Sequence, residues 1–307
     1  MSLRRMFLLK DFLVLSKFRI VVFVLISALL AYVCATPVGS QIDLGVMLLF
    51  FIALYLFSSG IFILNQVQEI NIDAKMPRTN QRPLVLKKIS VSAALFLSIV
   101  LTSISFFLFF IINVEVLVLA VIGLILYNGL YTMWWKKKWA FAAVPGAIPG
   151  AMPVCLAYVA GGGSLFSQEL YYLFLIMFLW QMPHFWYLAL HYKDDYIKGG
   201  VPVLPTVYGD KTTLYQMGIY TFIYIGLALS APVYIPSRYF YLLLTIPVAF
   251  KLLYEFFNFF YDCVKNSWQV NGETGKRKLS PFFMWINISL IVFLSAPVLD
   301  KLLFYFK

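Results

Sequence analysis

The chain is laid out as long apolar runs cut by short polar segments. Runs of about 18–24 residues fall near 18–36, 44–65, 90–112, 115–133, 140–160, 170–190, 214–235, 239–261 and 282–304. Each is long enough to cross a hydrocarbon core of roughly 30 Å as a helix. The pattern predicts an all-α polytopic membrane protein with nine transmembrane helices, forming a single domain over residues 1–307. Only Asn113 to Glu115 separate the third and fourth runs, so a tight hairpin is expected there. The fifth is interrupted by Pro145, Gly146, Pro149, Gly150 and Pro153. Such breaks survive in a bilayer only where neighbouring helices or a lined cavity satisfy the freed backbone groups.

Composition agrees with this layout. The chain is 62% hydrophobic and only 12% charged, against about 25% charged residues in soluble domains; a soluble domain is excluded. Aromatic residues reach 19%, which suits membrane interfaces and an apolar ligand chamber alike. The formal net charge of +11 would suit a nucleic-acid partner, but the basic residues sit in short loops and no such binding module is visible, so the expected partner is the lipid bilayer. Cys34, Cys155 and Cys263 are isolated and read as packing residues.

Basic residues alternate between the two sides. The amino end carries five, the 66–89 loop five, the 134–139 loop three, the 191–213 loop three and the 262–281 loop four. Against these 20, the other side has Arg238, Lys301 and Lys307. The positive-inside rule then places the amino end in the cytoplasm and the carboxyl end outside. With no cleavage site after the basic amino end, the first run reads as a retained helix in a bacterial plasma membrane. Lys136, Lys137 and Lys138 read as a topology anchor, and the Gly161–Ser167 loop carries little chemistry. The motif loops after the second and sixth runs hint at two related four-helix halves plus one extra helix.

Two polar constellations remain, both on the cytoplasmic side. The first follows the second run, as Asn65, Glu69 and Asp73, and continues into Met76-Pro-Arg78-Thr-Asn-Gln-Arg82-Pro83. A step of four advances about 40° round a helix, which puts all three polar side chains within roughly 80°. A carboxylate at the bilayer centre costs about 2.5–3.5 kcal/mol on insertion scales, so the stripe calls for an offsetting ligand. The second constellation runs from Trp180 to Tyr196 and holds both histidines, His184 and His191, with Lys193, Asp194 and Asp195 beyond them. Helical spacing predicts one face for His184, Tyr187, His191 and Asp195.

Two such faces meeting at one membrane surface would form a pocket with acidic metal ligands and basic anion ligands. Mg²⁺ usually takes one or two carboxylates together with substrate phosphates, and Glu69, Asp73 and Asp195 fit that habit. Lys75, Arg78, Arg82 and Lys193 suit diphosphate oxygens, arginine by a bidentate fork and lysine as a point charge. Zinc fits less well, because oxygen donors dominate and no cysteine is near.

Together these residues resemble the intramembrane prenyltransferases of the UbiA superfamily, and within it the subfamily that farnesylates haem. The resemblance rests on Asn65 to Pro83, Pro183 to Trp186, Asp195-Tyr196 and Gly200 to Pro205. Glu69 stands where that pattern has aspartate, Pro77 replaces a more usual polar residue, and Ser16-Lys17-Phe18-Arg19 lacks an expected proline. The resemblance implies a helical bundle with a central cavity open to the cytoplasmic side. It implies farnesyl diphosphate and haem b as substrates, with transfer to the 2-vinyl group. It further implies Mg²⁺ held by Glu69, Asp73 and Asp195, with Asn65 orienting, and His184 near the haem propionates, the iron or the new hydroxyl. A downstream haem-processing enzyme or oxidase assembly factor would receive the product. The rival readings are a sister prenyltransferase acting on an aromatic or quinone precursor and, from another class, a secondary transporter.

Overall fold

Nine helices among the described residues are long and apolar enough to cross a membrane: Phe18–Ala35, Leu44–Gln68, Val91–Ile112, Val114–Lys138, Ala143–Ala160, Gln168–His191, Gly209–Val233, Tyr239–Lys265 and Pro281–Leu303. In this computed structural model the described residues are 9–37, 40–235, 239–268 and 279–305, and among them there is no strand. Every expected span is present. Of the charges counted for topology, Arg4, Arg5, Arg238, Lys276, Arg277, Lys278 and Lys307 lie outside the described residues.

Polar loop residues set the helix starts. Asp43, Ser90, Asn113 and Ser167 each turn a side-chain oxygen onto backbone N–H groups of the first turn that follows, which satisfies donors a helix leaves orphaned. Asn113 thereby forms the hairpin between the third and fourth spans.

The second and third spans pack closely because Gly60 has no side chain. A Cβ there would stand 2.5 Å from Thr102 Oγ1, and Ser98 donates to the Gly60 carbonyl at 2.8 Å. Small residues let membrane helices approach in this way. The first span lies against the fifth, the fifth against the sixth, and the sixth against the seventh; the eighth lies against the ninth, which also touches the sixth and first. The fifth stays helical despite Pro149 and Pro153. Gln181, from the sixth span, donates to its Ala147 carbonyl at 3.0 Å. The three cysteines are buried and unbridged, as expected of packing residues.

Two departures from simple periodicity shape the polar end. The fourth span widens to an i→i+5 bonding pattern over Ile125–Trp135 and then runs on to Lys138, several residues past the predicted end. Such π segments recur at functional sites. Both motif helices also break sooner than their spacing implies. The second span ends at Gln68, Glu69 adopts a non-helical φ/ψ, and a short helix Ile70–Asp73 follows. The sixth ends at His191, with Tyr192 as the break before Lys193–Gly199. Gly200, at φ +67°, closes that short helix in the left-handed conformation glycine favours.

Candidate active site

The polar ends of the second, fourth and sixth spans meet. Asn65, Glu69, Asp73 and Asp195 are all buried. The break at Glu69 does not scatter the first motif. Backbone bonds from Glu69 to Asn65 (3.0 Å) and from Asp73 to Glu69 (2.8 Å) keep the four-residue stagger.

Each acid has a basic or N–H partner. Glu69 Oε1 lies 2.6 Å from Lys136 Nζ, and Asp73 Oδ2 lies 2.5 Å from Arg82 Nη1. Asp195 Oδ2 accepts the Arg78 backbone N–H at 3.3 Å. Asn65 accepts from Lys17 Nζ at 2.6 Å and donates to Thr132 at 3.1 Å. Thr79 ties the loop back to the Asp73 carbonyl at 2.9 Å. The loop between the first motif and Arg82 therefore bridges both motifs, bound to Asp73 on one side and Asp195 on the other. Arg78 adds to the bridge by lying 4.6 Å from the Tyr192 ring centroid and 5.6 Å from that of Tyr196. Met76 packs against Gly199, where a Cβ would meet Met76 Cε at 2.3 Å.

Electrostatics follow from this crowding of charge. Burial alone would raise the Glu69 carboxyl, but Lys136, Lys17 and Arg82 outweigh it and hold the group below the ordinary range. Burial, then Arg82 and Lys136, pull Lys17 down to about 7 against the opposing pull of Glu69 and Asp73. Lys17 thus sits among cations, where an added anion would be welcome.

Four expected residues fall elsewhere. Lys193 pairs with Asp210 at 2.6 Å rather than turning to the acids, because the break at Tyr192 re-aims the short helix that carries it. Lys75 is exposed. His184 packs among Trp180, Phe185 and Phe283, two helical turns deeper than His191. His191 is buried and stacks on Tyr187. His184, Tyr187 and His191 share one face of the sixth span, His184 and Tyr187 both against Phe283 and His191 on Tyr187, and only Asp195, beyond the break at Tyr192, leaves the expected common face.

Conversely, Lys17 and Lys136, which the sequence offers only as topology charges, lie against the first motif. Gln68 and Asn128 lock the second span to the fourth by mutual bonds of 3.1 Å. The signal for Lys136 was its position eight residues after Asn128 and four after Thr132, all facing the first motif. A pocket lined by Tyr131, Lys136, Phe185, Trp186, Tyr196 and Leu204 opens beside it.

The donor set suits a hard cation: three carboxylates and an amide oxygen, with basic groups interleaved. Among the described residues, no three His, Cys, Asp or Glu side chains converge tightly enough to hold a metal by themselves. Glu69, Asp73 and Asp195 are accordingly not a preformed ligand triad. The arrangement matches a cation that arrives together with an anion, the acids taking one and the bases the other.

The chain resembles known proteins in sequence and in fold. The UbiA prenyltransferase family model matches residues 24–287. The protoheme IX farnesyltransferase of Bdellovibrio bacteriovorus is 42% identical over 95% of this chain and 96% of its own. That of Leptospira biflexa is 38% identical over 65% of this chain and 70% of its own. Among solved structures, a digeranylgeranylglyceryl phosphate synthase superposes with a TM-score of 0.74 at 20% identity, covering 95% of this chain and 98% of its own. A UbiA homologue from Archaeoglobus fulgidus bound to DMAPP and Mg²⁺ gives 0.65 at 17%, over 95% and 99%. Those two share the fold, whereas the family-model match and the Bdellovibrio relative extend through both acidic motifs and nearly the whole length: this multi-pass membrane protein belongs to the UbiA prenyltransferase family.

Proposed function

We propose that the chain transfers a farnesyl group from farnesyl diphosphate to the 2-vinyl group of haem b, with release of diphosphate. The donor and acceptor follow the name of the 42%-identical relative. The geometric observation that carries the reading is the buried pairing of Glu69 with Lys136 and Asp73 with Arg82, bridged to Asp195 through the 76–82 loop.

These pairs can exchange partners. Lys17, Arg82 and Lys136 turn to the diphosphate oxygens, and Glu69, Asp73 and Asp195, with Asn65 beside them, are freed for the accompanying cation. Bound Mg²⁺ would neutralise diphosphate charge and make it a better leaving group. As the C–O bond breaks, its electron pair leaves on the diphosphate, where the three basic side chains hold the growing charge. Phe62, Tyr127 and Tyr131 form an aromatic cluster beside Asn65 and Lys17. Such faces stabilise an allylic cation and keep water off it. The vinyl π electrons then form the new C–C bond, and water adds to the resulting cation and loses a proton to give an alcohol.

By the positive-inside distribution, the site faces the cytoplasm across a bacterial plasma membrane, with the amino end inside and the carboxyl end outside. The farnesylated product stays in the bilayer, where a haem-processing enzyme or oxidase assembly factor would meet it. A cysteine placed at exposed Lys75 tests the orientation: an impermeant maleimide should label it in inverted vesicles and not in intact cells.

The deciding assay combines purified protein, haem b, farnesyl diphosphate and Mg²⁺, with mass analysis of the haem. The expected result is one farnesyl and one hydroxyl added per haem, abolished by chelation of Mg²⁺. Unmodified haem with a prenylated aromatic or quinone precursor would reassign the acceptor. Solute movement without diphosphate release would favour transport.

A further inference from the structure

Lys17 is held in an unusual way. Its backbone is left-handed, at φ 52° and ψ 46°, on the turn between the Leu9–Leu15 helix and the first span. A non-glycine residue keeps that conformation only where its surroundings over-determine it, and such residues gather at working sites. The ring of Phe62 lies 5.3 Å from Lys17 Nζ, and Asn65 Oδ1 receives its N–H.

Beside the backbone bond from the Lys17 N–H to the Val14 carbonyl at 3.2 Å, the turn is braced by Gln66. Its amide nitrogen donates to the Val14 carbonyl at 2.9 Å and to the Leu15 carbonyl at 2.7 Å. Those are the last two carbonyls of the short helix, immediately before Ser16 and Lys17. Gln66 is buried, next in sequence to Asn65, and its Oε1 has no hydrogen-bond partner. An orphaned buried acceptor costs stability, so the donor half of the amide is kept at the expense of the other half. Neighbouring residues Asn65 and Gln66 thus hold opposite ends of one turn, one gripping the Lys17 ammonium and the other its incoming backbone.

We propose that Gln66 is a positioning residue for diphosphate binding, acting through Lys17. By clamping the Val14 and Leu15 carbonyls it braces the left-handed turn that delivers the ammonium to Asn65. This rests on the reading that Lys17 binds the diphosphate of the donor substrate. The alternative is that Gln66 only tethers the amino-terminal helix, which packs through Phe12 and Leu15 onto Ile63, Val67 and Leu84.

A double-mutant cycle separates them. The measured quantities are KM for farnesyl diphosphate, KM for haem b and kcat in Lys17→Met, Gln66→Met and the double variant. Gln66→Asn, which keeps an amide but falls short of the two carbonyls, serves as a milder replacement if Gln66→Met does not fold. The expected result is a rise of about ten- to a hundredfold in the farnesyl diphosphate KM of each single variant, the size of one lost charge-assisted hydrogen bond, with the haem KM unchanged. In the Lys17→Met background the Gln66 change should add nothing. A raised KM in Lys17→Met with an additive, or no, effect of Gln66 overturns the positioning role and leaves the site reading intact. An unchanged KM in Lys17→Met overturns both.

Discussion

The Arg78 backbone N–H donates to Asp195 Oδ2 at 3.3 Å, joining residues 117 positions apart. It is the point where the loop of one motif is carried onto the other. The contact uses one oxygen of Asp195 for position and leaves its charge for the ligand. Asp195→Asn keeps an acceptor there, so the loop should hold its place and thermal stability in detergent should change by less than about 1 kcal/mol. Turnover should nonetheless fall at least about a hundredfold, with the Mg²⁺ concentration for half-maximal rate shifted upward. Parental turnover in Asp195→Asn would remove this residue from the cation site.

Lys136 and Glu69 give a prediction about pH. The folded-state pKa of Glu69 lies below that of a free carboxyl. Its pairing therefore contributes stability above the unfolded value and is lost as pH falls through the lowered folded value. Lys136→Met removes the strongest of the influences that hold Glu69 down and leaves burial to push it up. The acid limb of the activity profile should move to higher pH than in the parent. Stability at neutral pH should drop, at the lower end of the about 3–5 kcal/mol seen when a buried pair loses one partner, since the Lys136 side chain is 23% exposed. Removing both charges, as Lys136→Met with Glu69→Gln, should recover much of that stability but none of the activity. An acid limb that stays in place would show that another group sets the charge of Glu69.

The spans were legible because nothing but an apolar run of about 20 residues fits a bilayer, and the first motif was legible because its spacing survives the helix break at Glu69. The second motif misled. Counting by four from His191 to Asp195 assumes one continuous helix, and Tyr192 ends it, which sends Lys193 towards Asp210 and leaves Asp195 to meet the 76–82 loop. Lys136 was hidden for a different reason. Three consecutive lysines satisfy the positive-inside rule equally well; the four-residue steps from Asn128 through Thr132 single out the first, but nothing in the sequence alone says that this face meets Glu69. Neither a helix break between two helical residues nor a π turn leaves a compositional mark in a single sequence.

The Lys193–Asp210 pair is partly exposed on both sides, which keeps its contribution within about 0–1 kcal/mol. Lys193→Ala should accordingly leave the farnesyl diphosphate KM within about twofold of the parent and cost little stability. Arg82→Ala should do the opposite. It strips Asp73 of its partner in a buried place, so KM should rise at least tenfold and stability should fall by about 2 kcal/mol or more. A comparison of the two variants in one steady-state assay checks which basic residue serves the site. A larger KM effect from Lys193→Ala would restore it as an anion ligand.

Gly199 and Met76 supply the last test, because their contact packs the bridging loop against the second motif. A Cβ on Gly199 would lie 2.3 Å from Met76 Cε and 3.1 Å from Cγ. The near atom is the free end of a flexible side chain, so Gly199→Ala should be accommodated by a rotation of Met76 at a cost of about 1–2 kcal/mol. Gly199→Leu cannot be absorbed that way and should lift the 76–82 loop from the second motif, lowering turnover at least tenfold. Met76→Ala alone should destabilise by about 2–4 kcal/mol, since the side chain is buried. Combined with Gly199→Leu it vacates the space the new side chain needs. The two changes should then be strongly non-additive, with stability and turnover both better than in Gly199→Leu alone. Additive losses in thermal unfolding and turnover would mean that this contact does not set the position of the loop.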